Sequence, residues 1–390
     1  MRFSQRIGRI TTSSTMVVLQ KAQKLKAEGV DVLDFGAGEP DFPTPDNIKQ
    51  AAVRALDANF TKYTPSGGTR ELREALIKRH AQDFNSNYKV EECLVTVGGK
   101  HAIFEAVSAL IENGDEVILP SPFWVSFQDI IHYAGGKCVL VEAAESNGFV
   151  LTADQVERAL TPKTRLIIVN SPNNPTGAVV EPTEMEKLLA LAKKRNVVLL
   201  SDECYCRFLY EGATPFSLGA SGDRENLVLV GSLSKTYAMT GWRVGFVMGQ
   251  PKLISHILNL QSHSTSNPNS IAQKAAVEAL LGPQDAVGAM LAEYRKRRDK
   301  IVQGLRAIPG VSCNMPQGAF YAYPNIGAHL GPKNGADTLA LSQKLLEEAH
   351  VAVVPGQAFG TDAHVRISYA TSQELIDEGL KRLRDFFSRS

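Results

Sequence analysis

The chain should fold as an α/β protein, with a mostly parallel central sheet in a large unit and a smaller α+β unit built from both chain ends. Three observations predict this. After a turn-rich segment, Gly36-Ala37-Gly38-Glu39-Pro40-Asp41, short apolar strands alternate with amphipathic helical stretches, the pattern of a parallel sheet covered by helices. Four of those strands end in residues able to do chemistry, at the place where open parallel sheets collect their ligands. After Ser255 the pattern turns helical for a long way, and only short strands follow. The expected division is residues 1–40 as an arm and helix belonging to the small unit, 41–285 as the large unit, and 286–390 as the rest of the small unit.

Taken in order, residues 1–15 are polar and basic and read as an arm lying on something else. Apolar residues at 16, 18, 19, 22 and 25 predict an amphipathic helix from Met16 to Glu28, ended near Gly29. Val30–Phe35 reads as a short strand before the turn segment. The four informative strand ends follow. Leu94–Val97 leads into Gly98-Gly99-Lys100 and a helix towards Ile111. Arg165–Val169 leads into Asn170-Ser171-Pro172-Asn173-Asn174-Pro175-Thr176-Gly177. Asn196–Leu200 leads into Ser201-Asp202-Glu203-Cys204-Tyr205. Asn226–Val230 leads into Gly231-Ser232 and a loop carrying Lys235, with a further strand, Val244–Met248, behind it. Ile271–Leu281 is helical, and the basic run Glu293–Arg298 reads as a solvated helix face. Gly318–Tyr323, Val351–Pro355 and Val365–Tyr369 read as strands, and Gln373–Phe387 as a closing helix.

Composition narrows the function classes. A chain of 390 residues can bury cores large enough to need no staples. A net charge of +1 gives no global field to recruit nucleic acid or an anionic membrane. The five cysteines, an odd number without framework spacing, read as reduced thiols; Cys204 and Cys206 are placed on opposite faces of a strand, not at a metal. No metal site is expected. The N-terminus has no apolar run behind its charges and no stretch approaches a membrane span, so a cytoplasmic location is expected.

The chemistry gathers around Ser232-Leu233-Ser234-Lys235, with Arg243 eight positions beyond the lysine. A lysine among small residues beside apolar strands can be desolvated, lose its proton and form a Schiff base with an aldehyde. Hydroxyls and a planar, permanently charged guanidinium are what a phosphate needs. Gly98 and Gly99 open a helix whose free N–H groups suit the same phosphate. An aldehyde carrying a phosphate points to pyridoxal phosphate. Asp202, which alone would pass for a helix cap, sits between the asparagine turn and the lysine, where a carboxylate can hold a pyridine nitrogen protonated.

Ser-x-Ser-Lys-x-x-x-Met-x-Gly-Trp-Arg-x-Gly, from Ser232 to Gly245, resembles the cofactor-lysine signature of fold-type I pyridoxal-phosphate aminotransferases, in particular the bacterial aspartate aminotransferase-like subgroup. The resemblance runs from about Val32 to Ser372 and makes the large unit the cofactor-binding one. It implies that Asp202 pairs with the ring nitrogen, that Tyr205 and Asn174 bond the phenolic oxygen, and that Trp124 stacks on the ring. It implies a phosphate site of Gly98, Gly99, Ser232, Ser234 and Arg243, with Lys100 where some relatives carry a hydroxyl. Tyr63 resembles the tyrosine that reaches the phosphate of a neighbouring subunit, which implies a homodimer with shared sites. Arg366 resembles the arginine that takes the substrate α-carboxylate, Gly38 resembles a backbone donor in a closing segment, and Trp242 reads as packing.

The expected activity is transfer of an amino group between an L-amino acid, aspartate first, and a 2-oxo acid such as 2-oxoglutarate, with Lys235, Asp202 and Tyr205 as the catalytic set. Aromatic, alanine or prephenate-type substrates are the alternative, as is a β-lyase on the same fold. The subgroup that selects dicarboxylates with an arginine shortly before Ser-Asn-Pro is not matched, because Gln261–Thr265 holds none. Recognition of the substrate side chain is therefore placed on Lys100 or near Ser14 and Thr15. A regulator built from a DNA-binding module fused to such a unit is not expected, since no residues before Val30 are left for the module.

Overall fold

The computed structural model describes residues 1–10 and 14–389, and their side chains except those of residues 14–17 and 19. Ser14 and Thr15 lie in the helix Ser14–Ala27, but their side chains fall outside the described set. Among the described residues twelve strands form three sheets. Strand β1 is Leu33–Asp34. Strands β2 (Cys93–Thr96), β3 (Glu116–Ser121), β4 (Lys137–Glu142), β5 (Thr164–Asn170), β6 (Val198–Asp202), β7 (Leu227–Ser232) and β8 (Gly245–Gly249) make one seven-stranded sheet, ordered β2-β8-β7-β6-β5-β3-β4. Strands β9 (Tyr321–Ala322), β10 (Val351–Ala352), β11 (Val354–Pro355) and β12 (Val365–Ser368) belong to the smaller part, with β11-β12-β9 in one sheet and β1-β10 in another.

The large sheet is parallel except for β8, which runs against both of its neighbours. Its central strands are covered on both faces, so they read as unbroken apolar runs: Leu166, Ile167, Ile168 and Val169 on β5, and Leu227, Val228, Leu229 and Val230 on β7 are all buried. Each such side chain contributes roughly 1.5–3 kcal/mol when fully buried. One apolar core beneath this sheet gathers Ile103, Val107, Phe127 and Leu200, and another gathers Val156, Leu188 and Leu199 on its opposite side.

The two chain ends meet. Strand β1 pairs in parallel with β10, and the N-terminal helix packs on the helix Thr338–Glu348. The expected strand over Val30–Phe35 shrinks to two residues because β10 offers only two partners. Cys204 and Cys206 lie in the turn after β6 and not on a strand, since β6 ends at Asp202.

The helix Asp285–Arg306 corrects a second expectation. It starts in the core of the large part, through Val287, and continues into the core of the small part with Met290, Tyr294, Ile301 and Leu305. Its basic run is a solvated face only in part, since Arg295 and Lys296 are exposed. Arg297 and Arg298 are buried, and Arg297 Nη1 donates to both carboxylate oxygens of Asp41 at 2.8 and 2.9 Å while its Nε donates to Glu293 at 3.1 Å. Its guanidinium also covers the rings of Phe42 and Tyr294. The charges alternate with core positions because one helix serves two cores, which a single-helix hydrophobicity pattern hides.

Arg297→Ala should lower stability by about 1–3 kcal/mol, less than a fully buried pair would cost because Asp41 keeps some solvent contact. Urea unfolding followed by circular dichroism would check this, with Lys296→Ala, an exposed neighbour, as the control that should change little.

Candidate active site

The register of the large sheet sets the site. Asn170 on β5 pairs with Asp202 on β6, and Asp202 pairs with Val230 on β7, so the carboxyl ends of three adjacent parallel strands finish side by side. Each then turns towards the same space. The turn after β5 is stapled by Asn170, whose Oδ1 accepts the Asn174 N–H at 2.8 Å and whose Nδ2 donates to the Asp202 carbonyl at 3.2 Å. The turn after β6 is fixed by the Cys204 N–H donating to Asp202 Oδ1 at 3.0 Å. After β7 comes a helical turn, Leu233–Thr236, capped by Ser232 Oγ accepting the Ser234 N–H at 3.0 Å. Lys235 therefore sits on a short helix and not on a loop.

A cavity of about 420 Å³ opens over these ends. Twelve of the fourteen residues singled out from the sequence line it: Gly38, Gly99, Lys100, Trp124, Asn174, Asp202, Tyr205, Ser232, Ser234, Lys235, Arg243 and Arg366. Gly98 stands just behind the wall as the N-cap of the helix Gly99–Leu110. Tyr63 lies elsewhere, 92% exposed.

One wall is an anion cradle. Ser232 Oγ donates to Ser234 Oγ at 2.7 Å, and the first N–H groups of the helix Gly99–Leu110 have no acceptor within that helix. The antiparallel strand β8 brings Gly245 against this helix start. A Cβ on Gly245 would lie 2.4 Å from the carbonyl carbon of Gly98 and the nitrogen of Gly99, so only glycine lets the backbones meet. Gly98 has φ +86°, and a Cβ there would meet the Arg243 guanidinium at 2.5 Å. Lys100 places its ammonium 5.1 Å from the Trp124 ring centre.

The opposite wall is built around a buried arginine. Arg366, buried on β12, donates from Nη1 to Asn174 Oδ1 at 3.0 Å and from Nη2 to the Gly36 carbonyl at 2.8 Å. Its Nε is buried without a partner among the described residues. The guanidinium lies 4.6 Å from the Tyr321 ring centre and 5.2 Å from that of Phe359. The segment between β1 and Asp41 crosses above, with the Gly38 carbonyl accepting from Lys235 Nζ and Glu39 accepting from Thr240 Oγ1 at 2.7 Å.

Burial tunes these groups. Desolvation pulls the Lys235 ammonium below the ordinary lysine range, and the positive charges of Arg366 and Arg243 add to it. Desolvation pushes Asp202 up to about 7, and the nearby Glu203 carboxylate adds to it against the Cys204 N–H. A buried carboxyl poised in this way calls for a cationic or protonated partner in the cavity. Desolvation keeps the Tyr205 hydroxyl protonated far above neutral pH, so it is available as a donor.

Sequence reasoning missed four contributors. Asn170 stood in a quoted turn, but only Asn174 was given a role. Tyr321, whose hydroxyl lies 2.8 Å from that of Tyr205, was hidden inside a stretch read as plain strand. Gly36 and Phe359 lacked any signal, since one acts through its carbonyl and the other through its ring. Trp242, read as packing, donates its Nε1–H to Thr44 Oγ1 at 2.9 Å. Among the described residues no group of three or more His, Cys, Asp or Glu could hold a metal, and no helix is long and apolar enough to cross a membrane.

Comparison with known proteins decides the family. Residues 30–383 match the model of the family described as aminotransferase class I and II. The chain belongs to that family. The enzyme is 41% identical over 98% of its length to the aspartate aminotransferase of Bacillus sp. YM-2, covering 98% of that protein. It is also 42% identical over 98% of its length to the probable aspartate/prephenate aminotransferase of Aquifex aeolicus, covering 97% of that one. Among solved structures, the aspartate aminotransferase of Rhizobium meliloti superposes with a TM-score of 0.95 at 40% identity, covering 100% of this chain and 99% of that one. The Thermus thermophilus aspartate aminotransferase with maleate gives 0.93 at 42%, covering 99% and 100%. The enzyme is thus a transaminase with the mixed α/β architecture expected from its sequence.

With the cavity free of ligand, Asp202→Asn should stabilise the protein at pH 8. The folded carboxyl titrates near 7 and the unfolded one near 4, so the native state binds more protons in between and stability falls as pH rises through that window. The gain should be of order 2–4 kcal/mol at pH 8 and shrink steadily below pH 7 towards pH 4, read by urea unfolding at several pH values.

Proposed function

We propose that this transaminase holds pyridoxal phosphate at Lys235 and moves the amino group between L-aspartate and a 2-oxo acid such as 2-oxoglutarate. The observation that carries the reading is the convergence of an anion cradle, a desolvated lysine, a buried carboxyl and a carboxylate-seeking arginine in one cavity. The residues fit the cofactor. Gly99, Ser232, Ser234 and Arg243, with Gly98 behind them, would take its phosphate; Asp202 would hold the proton of its ring nitrogen; Tyr205 and Asn174 would face its phenolic oxygen; and Trp124 would cover its ring. Pyridoxal phosphate, when bound, supplies an aldehyde and an electron-poor ring that takes up the electron pair left at the substrate's α-carbon.

Lys235 is the base and acid of the reaction. Its lowered proton affinity favours the free amine, able to take the α-proton and return it elsewhere on the reacting framework. Arg366, with its Nε unpartnered among the described residues and its fork held by two acceptors, would grip the α-carboxylate. Gly38 would close above it. For the substrate's distal carboxylate, Lys100 is the cation at hand in the same cavity. Relatives named for aspartate support that substrate, and one named for aspartate and prephenate supports a second reading in which larger acids enter past Trp124 and Phe359.

The proposed division of the chain is 1–40 and 286–390 as a small domain around the large one, 41–285. The proposed assembly is a cytoplasmic homodimer in which Tyr63, exposed in the single chain, completes the phosphate site of the other copy.

Purified protein should carry a pH-dependent near-ultraviolet to visible chromophore, fixed by borohydride to the peptide containing Lys235. Lys235→Ala should lose turnover by several orders of magnitude, and normal turnover there would sink the mechanism. For the substrate, Lys100→Met should raise the KM for aspartate about tenfold, one charge-assisted hydrogen bond, while leaving alanine's unchanged. Equal effects on both would remove Lys100 from side-chain recognition. Mixing inactive Tyr63→Phe and Lys235→Ala proteins should restore part of the activity through hybrid dimers; no gain despite confirmed subunit exchange would place each site within one chain.

A further inference from the structure

Tyr321 stands apart from the residues already given roles. It lies on β9, fully buried, opposite Ser368 on β12, the strand that also carries Arg366. Its ring is a floor for the Arg366 guanidinium at 4.6 Å, and its hydroxyl lies 2.8 Å from that of Tyr205, with the two rings edge to face at 5.8 Å. It therefore touches both the carboxylate grip and the tyrosine of the cofactor site.

We propose that Tyr321 is a positioning residue that donates its hydroxyl hydrogen bond to Tyr205, turning the Tyr205 proton towards the cofactor. The inference rests on the cofactor reading above and adds the direction of this bond. A phenol has one proton to give and two sites to accept. If Tyr205 gives its proton to the cofactor's phenolic oxygen, it has none left for Tyr321, and the 2.8 Å contact is a hydrogen bond only with Tyr321 as donor. The surroundings favour that direction. The Arg366 guanidinium lies over the Tyr321 ring, 4.6 Å from its centre, and its positive charge lowers the proton affinity of the Tyr321 hydroxyl, which favours that hydroxyl as the donor. A bond donated into the Tyr205 oxygen also polarises the Tyr205 O–H, strengthening what it gives in turn.

The charged and titratable groups around the pair come from several elements. Arg366 on β12 and Cys204 in the turn after β6 face both tyrosines. Lys235, where the chromophore would form, is faced by Cys204, Glu39, Arg366 and Arg243. Tyr321→Phe leaves all of these in place and keeps the ring under Arg366, so it removes only the hydrogen bond.

The test is the pH titration of the chromophore at Lys235 in the holoenzyme. Tyr205 stabilises the deprotonated chromophore by donating to its phenolic oxygen, so weakening that donor raises the midpoint. Tyr321→Phe should raise it by about half to one pH unit, three- to tenfold in proton affinity, the range of one hydrogen bond's net contribution. In a Tyr205→Phe background the same substitution should add almost nothing, because its effect passes through Tyr205. Maleate affinity in Tyr321→Phe should stay within about twofold, since the ring remains; Tyr321→Leu should weaken it severalfold and shift the midpoint as well. An unchanged midpoint in Tyr321→Phe, or an equal shift with and without the Tyr205 hydroxyl, would overturn the inference. If near-ultraviolet circular dichroism shows a disturbed Phe variant, the midpoint of Tyr321→Leu decides on the same terms. Unmodified protein with no pH-dependent chromophore would overturn the cofactor reading and this inference with it, so the two failures are distinct.

Discussion

The buried guanidinium of Arg366 is the contact on which the arrangement turns. It reaches Asn174 beyond the end of β5, Gly36 in the segment after β1 and the ring of Tyr321 on β9, so a single side chain ties together the large sheet, the N-terminal segment and the small sheet. A permanent charge at this depth is costly unless its protons are taken up. Here two acceptors and two aromatic faces take up most of the burden, and among the described residues Nε is left over. An arginine held so, flat and incompletely satisfied, is set for a planar anion.

Around that point the sheet does the positioning. Parallel strands with matched ends bring Asn174, Asp202 and Lys235 to one rim, and the reversed strand β8 brings Gly245 beneath the helix that begins at Gly99. The same sheet that supplies stability through its buried aliphatic strands thereby fixes the spacing of the reactive groups. Loops alone would not hold a lysine, a carboxyl and an anion cradle to within a hydrogen bond's tolerance.

Much of this was legible in the sequence, for a physical reason. Strand ends with Gly-Gly-Lys, Asn-Pro-x-Gly, Asp-x-x-Tyr and Ser-x-Ser-Lys each carry residues whose chemistry is unusual for their place, and the period of the strands put them at one edge. Roles performed by backbone or by shape were not legible. The Gly36 carbonyl has no side-chain signature, and Tyr321 looked like any aromatic in a short strand. The buried arginines of the Asp285–Arg306 helix were misread because charge near apolar positions usually means a wet face. Here the partner, Asp41, lies 256 residues away in sequence, and no local pattern announces it.

That long helix has a mechanical consequence. With its first turn seated in one core and the remainder in the other, it spans the two, and Arg297 is the point where Asp41 is attached. Arg297 lies ten residues past Val287, about 15 Å along the axis at 1.5 Å per residue. A swing of only about 5° at the Val287 end would carry Asp41 by roughly 1.3 Å over such an arm. A displacement of that size is enough to make or break a hydrogen bond, and the Arg297–Asp41 pair ties the helix to the segment that begins at Gly36.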